Sequence, residues 1–206
     1  MDPLVEPASA GPRSETRRMP AEPAVPANYP PRCQVLFTGD EIRATVERLA
    51  REIKAVYGDE ELTVVCVLHG GLVFAADLMR RLDMPLRLGV VLASSYRGSA
   101  TTPGDLHVQI HPSLDLRGRH VLLLDDILDT GRTLLRLRDE LLALGPRSVR
   151  LVALVDKPSR RVAPLQADFC GFSIPDLFIV GYGLDWNERY RNLPDIVALP
   201  AGAGEA

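Results

Sequence analysis

Apolar and polar stretches follow one another along this chain in an order typical of alternating strands and helices. Mostly apolar runs occupy residues 62–68, 86–92, 121–124 and 149–155, and polar or turn-forming residues separate them. Such runs are too short for helices and predict strands that are buried on both faces. With helical segments between them, they predict an α/β fold in which a central, mostly parallel sheet is flanked by helices.

Three segments between these strands have helical patterns. Residues 38–41 form a capping-box pattern, and apolar residues then recur three and four positions apart, as in an amphipathic helix. A second helix is predicted from the turn at 69–71 to about Leu82, and a third over 132–144. Residues 93–106 are rich in Ser, Thr and Gly and predict a long flexible loop of the kind that often forms a lid.

Composition divides the chain into one domain and two tails. Residues 1–31 are rich in Pro and Ala and have almost no large apolar side chains, so they cannot bury enough surface to offset the entropy of ordering. We expect a disordered tail there and another over 201–206. Residues 32–200 have the length of a single domain with a sizeable core.

Charge and cysteine usage narrow the classes of function. The formal net charge is -3 and no basic run is present, so a nucleic-acid partner is not expected. No apolar stretch is long enough to span a membrane, and the first residues lack the apolar core of a signal peptide. Three cysteines without close spacing favour neither a disulfide framework nor a zinc site, and we expect a cytoplasmic protein.

The residues after the apolar run 121–124 are the main candidates for chemistry. Asp125 and Asp126 are predicted to end that strand, at the edge where open α/β sheets bind ligands. Residues 130–133 then offer hydroxyls, backbone N–H groups and a cation at the start of a helix, which suits a phosphate. A ribose that carries a phosphate suits both groups: its hydroxyls face Asp125 and Asp126, and its phosphate binds at residues 130–133. Asp129 is then left for proton chemistry. The alternative is that these aspartates only begin a turn and cap the helix.

The stretch 121–135 resembles the phosphoribosyl-pyrophosphate motif of type I phosphoribosyltransferases. Further stretches are similar to the hypoxanthine-guanine members of that family, namely 154–161, 168–176, 178–185 and 187–194. The similarity extends from about Val35 to about Leu199 and includes loops, which a shared fold alone does not explain. Neither a Walker-type loop nor a dinucleotide-binding glycine pattern competes with it.

The resemblance implies a fold, a reaction and a metal. The fold is that of type I phosphoribosyltransferases, with a small hood built from the chain ends of the domain. The reaction belongs to purine salvage: hypoxanthine or guanine displaces pyrophosphate from phosphoribosyl pyrophosphate, which gives IMP or GMP. The family also implies Mg²⁺, held mainly by substrate oxygens with few protein ligands, and a homo-oligomer, either a dimer or a tetramer.

The same resemblance assigns roles around the phosphosugar. Asp129 matches the carboxylate that exchanges a proton with the purine. Asp125 and Asp126 match the acidic pair that holds the ribose hydroxyls and lies near magnesium. The remaining positions that match contacts to phosphoribosyl pyrophosphate are Thr130, Gly131, Arg132, Thr133, His69, Gly70 and Arg191.

Other matching positions concern the purine, the metal and the lid. Lys157 matches the lysine that donates to the 6-oxo group and so selects against adenine, whose 6-amino group is itself a donor. Phe178 matches the ring that stacks on the purine, and Ile179 the residue whose backbone meets the edge of the base. Asp185 matches a further carboxylate beside the base and magnesium. Ser95-Tyr96 matches the mobile lid that excludes water.

Two positions depart from the family pattern. His69 stands where lysine is common, in a turn that presents a backbone N–H to pyrophosphate. A neutral imidazole attracts pyrophosphate less than lysine does, and its charge makes that attraction depend on pH. Asp125 stands where glutamate is usual, and its side chain is one methylene shorter.

Two alternative functions stay open. A regulator that keeps the phosphoribosyl-pyrophosphate motif while binding nucleic acid would need a basic face or an added domain, and such proteins commonly lose the base-recognition residues that are kept here. A transferase for another base is the second alternative. Residues 154–161 and 178–194 disfavour a pyrimidine, whereas hypoxanthine, guanine and xanthine differ only at the 2-position and the sequence does not rank them.

Overall fold

The structure is a computed structural model that describes residues 28–95, 106–110 and 115–200. For residues 93–95 and 106–110 it describes the backbone alone. Nine strands and three α-helices follow one another in the described part. The strands are β1 (Gln34–Phe37), β2 (Leu62–Leu68), β3 (Leu86–Ser95), β4 (Leu106–Ile110), β5 (His120–Leu128), β6 (Ser148–Asp156), β7 (Phe169–Ser173), β8 (Ile179–Val180) and β9 (Ile196–Ala198).

Six of these strands form the main sheet, in the spatial order β4-β3-β2-β5-β6-β7. All neighbours are parallel except β3 and β4, which form an antiparallel pair at one edge. The prediction of a central, mostly parallel sheet flanked by helices is confirmed. Parallel order requires crossover connections between strands, and helices supply the two that join β2 to β3 and β5 to β6.

The helices are α1 (Gly39–Tyr57), α2 (Gly71–Met79) and α3 (Arg132–Ala143). The predicted capping box is present, because Thr38 and Glu41 bond reciprocally at the start of α1. One core cluster joins α1 and α2 to one face of the sheet, and another joins α3 to the opposite face. Leu122 and Leu123 of β5 point to opposite clusters, and both are fully buried. The strand is therefore covered on both faces, as its uniform apolar run predicts.

A second, smaller sheet joins the two ends of the domain. Its order is β1-β9-β8, and all its pairs are antiparallel. The strands come from both ends of the domain, as the predicted hood requires. The role of this sheet as a hood over the site stays a prediction.

Three predicted boundaries are wrong by a few residues. The strand predicted to end at Leu124 continues to Leu128, because β6 pairs with β5 as far as Leu128 and Asp156. The strand predicted to end at Leu92 continues to Ser95, because β3 pairs with β4 up to that residue. The second helix ends at Met79, and a final turn brings Leu82 into the core.

The unequal length of neighbouring strands opens the sheet at one edge. The pairing of β2 with β5 ends at Cys66 and Leu124, whereas β5 continues along β6 for four more residues. Asp125 and Asp126 therefore lie where β5 has lost its neighbour on one side. Within the described ranges, no helix is both long and apolar enough to cross a membrane.

Candidate active site

A cavity of about 700 Å³ lies at the carboxyl ends of β2, β5 and β6. It is the place where an open α/β sheet binds its ligands. Ten residues that the sequence analysis selected line this cavity, although they come from five separate segments of the chain. They are His69, Gly70, Asp125, Asp126, Asp129, Lys157, Phe178, Ile179, Asp185 and Arg191.

The adjacent carboxylates of β5, Asp125 and Asp126, lie in surroundings that disfavour their ionised forms. Asp126 is buried, and its backbone N–H donates to Asp125 Oδ1 at 2.9 Å. Burial and the neighbouring charge of Asp126 raise the pKa of Asp125 well above its usual range. Burial also raises the pKa of Asp126, although the charge of Arg191 counteracts it. Two carboxylates in this position favour ligands that carry hydrogen-bond donors or positive charge.

The turn after β2 fits closely against this pair. A Cβ atom added to Gly70 would lie 1.9 Å from Asp126 Oδ2, so only glycine fits beside that carboxylate. Gly70 also meets the loop before Asp185, because a Cβ on Gly183 would lie 2.3 Å from the Gly70 carbonyl oxygen. The peptide bond between Leu68 and His69 is cis, and the His69 side chain is exposed at the cavity.

Asp129 carries an ion pair that the sequence analysis did not predict. Arg160 Nε donates to Asp129 Oδ1 at 3.0 Å, and Arg160 Nη1 lies 3.4 Å from Asp176 Oδ2. All three side chains line the cavity. The predicted proton acceptor thus shares a guanidinium with a second carboxylate.

The candidate purine contacts line the same cavity. Lys157 is buried, and its Nζ donates to the Leu177 carbonyl oxygen at 2.5 Å. Burial lowers the pKa of Lys157, and the charges of Asp129 and Asp176 oppose this shift. Phe178 follows directly after Leu177 and is 39% exposed, so its ring presents an apolar surface to the cavity. A planar base stacked there would lie within reach of the lysine.

Asp185 and Arg191 form the remaining polar wall. Arg191 Nη2 lies 2.8 Å from Asp185 Oδ1, and Arg191 Nη1 donates to the Gly183 carbonyl oxygen at 2.7 Å. The backbone N–H of Glu188 donates to the other oxygen of Asp185 at 2.9 Å. Asp185 is therefore engaged by protein groups on both of its oxygens.

The predicted phosphate turn lies beside this cavity and not in its wall. Thr130, Gly131, Arg132 and Thr133 lead into α3, where Gly131 adopts a φ of 79°. This left-handed conformation favours glycine. The backbone N–H groups of residues 162 and 163 both donate to the Thr130 carbonyl oxygen at 3.0 Å, which fixes the turn. Of the predicted lid, Ser95 ends β3 and Tyr96 lies outside the described residues.

Sequence reasoning missed two charged residues of the cavity, Arg160 and Asp176. Both lie inside stretches that match the family, but an isolated charge in a loop normally indicates a solvated side chain. Arg160 is 31 positions from Asp129 and 16 from Asp176, so no local spacing connects them. Three apolar residues also line the cavity, Leu68, Ile127 and Leu184, but their sequence pattern is that of core positions.

The donor set of the cavity suits a hard cation only in combination with a ligand. Asp125, Asp126 and Asp185 supply carboxylate oxygens, which are the ligands that Mg²⁺ prefers. Across residues 28–95, 106–110 and 115–200, no group of three or more His, Cys, Asp or Glu side chains is arranged to hold a metal ion. These residues fit Mg²⁺ as partial ligands that share it with substrate oxygens.

Comparison with known proteins agrees with this geometry. A model of the phosphoribosyl transferase domain matches residues 36–187. The hypoxanthine-guanine phosphoribosyltransferase of Bacillus subtilis is 39% identical over 173 residues, which cover 84% of this chain and 96% of the relative. The hypoxanthine phosphoribosyltransferase of Salmonella typhimurium is 40% identical over 163 residues, which cover 78% and 92% of the two chains.

Solved structures give the same result. The crystal structure of a hypoxanthine-guanine phosphoribosyltransferase from Bacillus anthracis has a TM-score of 0.75 and 37% sequence identity, over 81% of this chain and 97% of that chain. The similarity therefore covers nearly the full length of these relatives, and the family model spans every residue that lines the cavity except Arg191. The chain belongs to the phosphoribosyltransferase family and, within it, to the hypoxanthine-guanine phosphoribosyltransferases.

Proposed function

We propose that this chain transfers the 5-phosphoribosyl group from phosphoribosyl pyrophosphate to hypoxanthine or guanine, with release of pyrophosphate. The products are IMP or GMP, and the reaction belongs to purine salvage. One observation carries the proposal: a single cavity gathers the buried Asp125-Asp126 pair, Asp129, the buried Lys157 and the exposed ring of Phe178. A phosphosugar and a planar 6-oxo base need these groups together.

Base selection follows from the position of Lys157. Its Nζ carries three donors, and the Leu177 carbonyl oxygen takes one of them. The 6-oxo group of hypoxanthine or guanine accepts a further hydrogen bond, whereas the 6-amino group of adenine does not. Phe178 stacks on the base, and the backbone of Ile179 meets its edge. Xanthine carries the same 6-oxo group, so this contact does not distinguish it from hypoxanthine and guanine.

The proton of the reaction goes to Asp129. When a purine ring nitrogen bonds to the anomeric carbon, the bond from that carbon to pyrophosphate breaks, and the base must lose a ring proton. The Asp129 carboxylate lines the cavity and accepts this proton. We infer that Asp129 meets the edge of the base that carries the 6-oxo group, because its charge acts on Lys157, the residue proposed to bind that group.

The phosphosugar occupies the other half of the site. Asp125 and Asp126 accept hydrogen bonds from the ribose hydroxyls, and the turn Thr130-Gly131-Arg132-Thr133 binds the 5-phosphate at the start of α3. His69, Gly70 and Arg191 contact pyrophosphate. The Arg191 guanidinium pairs with Asp185, and its positive charge stabilises the negative charge of the departing pyrophosphate.

Mg²⁺ completes the proposed site. Asp125, Asp126 and Asp185 are the residues that would hold it, together with oxygens of phosphoribosyl pyrophosphate. When bound, it neutralises the charge of the leaving pyrophosphate. Buried carboxylates with raised pKa values are consistent with a site completed by a cation, because a neighbouring positive charge favours their ionised form.

The remaining proposals concern surroundings of the site. We place Ser95 and Tyr96 in a lid that closes over phosphoribosyl pyrophosphate and limits its hydrolysis. We also propose a cytoplasmic homo-oligomer, a dimer or a tetramer, that binds neither nucleic acid nor membrane. We further propose residues 32–200 as the transferase domain, with residues 1–31 and 201–206 as tails on either side of it.

Pyrophosphate release from phosphoribosyl pyrophosphate and Mg²⁺ tests this function. Hypoxanthine, guanine, xanthine, adenine and uracil are added in turn, and a reaction without base measures hydrolysis. Turnover with 6-oxopurines alone supports the proposal and ranks the substrates. No turnover with any base, despite measurable binding of phosphoribosyl pyrophosphate, would favour the regulator. Turnover with uracil would assign the chain to another base.

A further inference from the structure

The loop after β6 contains two consecutive arginines that both contact Asp129, but at different atoms. Arg161 donates to the Asp129 backbone carbonyl and also bonds Asp156. Arg160 donates through Nε to the side-chain oxygen Oδ1 at 3.0 Å. The backbone of Asp129 and its carboxylate thus have separate partners.

The backbone contacts are sufficient to fix the chain at this point. Arg161 is only 15% exposed and bridges β6 to the turn, and the Thr130 carbonyl oxygen accepts two more backbone hydrogen bonds. Arg160 is 45% exposed; its backbone N–H donates to the Lys157 carbonyl oxygen within its own loop, and it contacts Asp129 through its side chain. Its contact with Asp129 therefore sets the orientation of the carboxylate and not the course of the backbone.

Arg160 is itself anchored at its far end. Its Nη1 lies 3.4 Å from Asp176 Oδ2, and the same loop is joined to residue 177 by the Lys157 hydrogen bond. In the part of the chain that the structure describes, no hydrogen-bond donor reaches Asp129 Oδ2. One oxygen of Asp129 is held while the other is left for a ligand in the cavity.

We propose that Arg160 is a positioning residue for the proton acceptor of the transfer reaction. It fixes Asp129 Oδ1, so that Oδ2 faces the ring N–H of the bound purine, and Asp176 fixes the guanidinium in turn. This inference rests on the proposed function, and it assigns roles to Arg160 and Asp176. An orienting partner matters because a small displacement of a proton acceptor lowers the rate of the chemical step.

The test compares Arg160→Gln with the same change in an Asp129→Asn background. In the enzyme with Asp129 intact, Arg160→Gln should lower kcat about tenfold, with an unchanged KM for phosphoribosyl pyrophosphate. In the Asp129→Asn background, it should change kcat by less than about twofold, because the group that it orients is already inactive. Arg160→Lys should recover part of the loss, since it retains a cation.

Arg136→Gln is the matched control. Arg136 Nε donates to Glu140 Oε1 at 2.9 Å, and the two side chains are 49% and 35% exposed, close to the 45% and 38% of Arg160 and Asp129. That pair lies on α3 and away from the cavity. Arg136→Gln should leave kcat and both KM values unchanged, and all variants should unfold at the wild-type midpoint.

The possible results separate this inference from the function on which it rests. No pyrophosphate release by the wild-type protein with any base overturns the proposed function and this inference with it. An active wild type in which Arg160→Gln leaves kcat unchanged, or lowers it equally in both backgrounds, overturns the inference alone. A raised KM for phosphoribosyl pyrophosphate would place Arg160 at the other substrate and contradict the proposal.

Discussion

At the residue scale, the two neighbouring carboxylates of β5 link ligand binding to stability. Burial and the charge of Asp126 raise the pKa of Asp125. A carboxyl group with a raised folded-state pKa contributes stability at low pH, and that contribution is lost as pH rises through the folded pKa. The protein without ligand therefore loses stability as pH rises above about 4, where an unfolded aspartate ionises, until pH reaches the raised folded-state pKa of Asp125.

Asp125→Asn should stabilise the ligand-free protein at neutral pH. The amide cannot ionise, so the variant lacks the cost of burying a charge next to Asp126. The gain should shrink as pH falls toward about 4, where an unfolded aspartate also becomes protonated. Urea denaturation of both proteins at pH 7 and near pH 4 measures this difference. A variant less stable than the wild type at pH 7 would contradict the assignment.

Lys157→Gln tests base recognition with a control inside the same chain. The loss of a charged donor should lower kcat/KM for hypoxanthine by about 10- to 100-fold and reduce discrimination against adenine. Lys54 is the only other lysine of the chain and lies on α1, where it bonds Asp59. Lys54→Gln should leave base preference unchanged. Unaltered preference in the Lys157 variant would show that this lysine has only a structural role.

The sequence predicts individual site residues better than the contacts between them. Family motifs placed Asp129 and Lys157 in the site, and both line the cavity. The sequence does not predict Arg160 as a site residue, because its two carboxylate partners belong to other segments of the chain. A surface charge acquires such a partner only when the sheet brings distant segments together, which no local pattern records.

At the element scale, the close approach of the turn after β2 to β5 is the feature most open to test. Gly70 has a φ of -60°, which any residue adopts, but a Cβ would lie 1.9 Å from Asp126 Oδ2. Gly70→Ala should therefore displace that carboxylate and raise the KM for phosphoribosyl pyrophosphate tenfold or more. A tenfold change corresponds to about 1.4 kcal/mol of binding free energy.

Gly58→Ala is the complementary control. Gly58 has a φ of 61°, which strains alanine, but a Cβ there meets nothing within 4 Å. This variant should lose about 1 kcal/mol of stability and keep wild-type kinetics. Steady-state kinetics and thermal unfolding of both variants separate strain from a local clash. Equal kinetics for Gly70→Ala and the wild type would remove the turn from the site.

Element prediction succeeded where a run was uniformly apolar and failed where it was interrupted. The predicted strand at 62–68 has the observed ends of β2. The strand predicted at 121–124 is too short, because two consecutive carboxylates normally indicate that a strand has ended. Its pairing with β6 continues beyond them. Beyond residue 155 the pattern predicted no strands. β8 has two residues and β9 three, too few for a period-2 pattern to be recognised.

At the scale of the whole molecule, the contacts of Tyr29 bear on the predicted boundary between tail and domain. Its hydroxyl donates to Asp195 Oδ2 at 2.8 Å, and Asp195 Oδ1 accepts from the backbone N–H of Gly39 at 2.7 Å. These bonds connect the segment before β1 to the start of α1 and to β9. Contacts of the domain thus include Tyr29, a few residues before the predicted boundary at 32.

Two truncations test this connection. Removal of residues 1–27 should leave activity and the unfolding midpoint unchanged, because the sequence predicts no packed structure there. Removal of residues 1–32 should lower the free energy of unfolding by about 1–3 kcal/mol, since it leaves Asp195 without its tyrosine partner. Thermal unfolding of both truncated proteins, with Tyr29→Phe as the point variant, is the measurement. Equal stability of the two truncations would contradict a role for Tyr29.

The most direct test of the account is product stoichiometry. The wild-type protein is incubated with phosphoribosyl pyrophosphate, hypoxanthine and Mg²⁺, and IMP and pyrophosphate are quantified over time. The account predicts one IMP for each pyrophosphate, and loss of both products together when Asp129 is replaced by Asn. Pyrophosphate without IMP, or neither product while both substrates bind, would contradict the claim that this cavity joins a purine to a phosphoribosyl group.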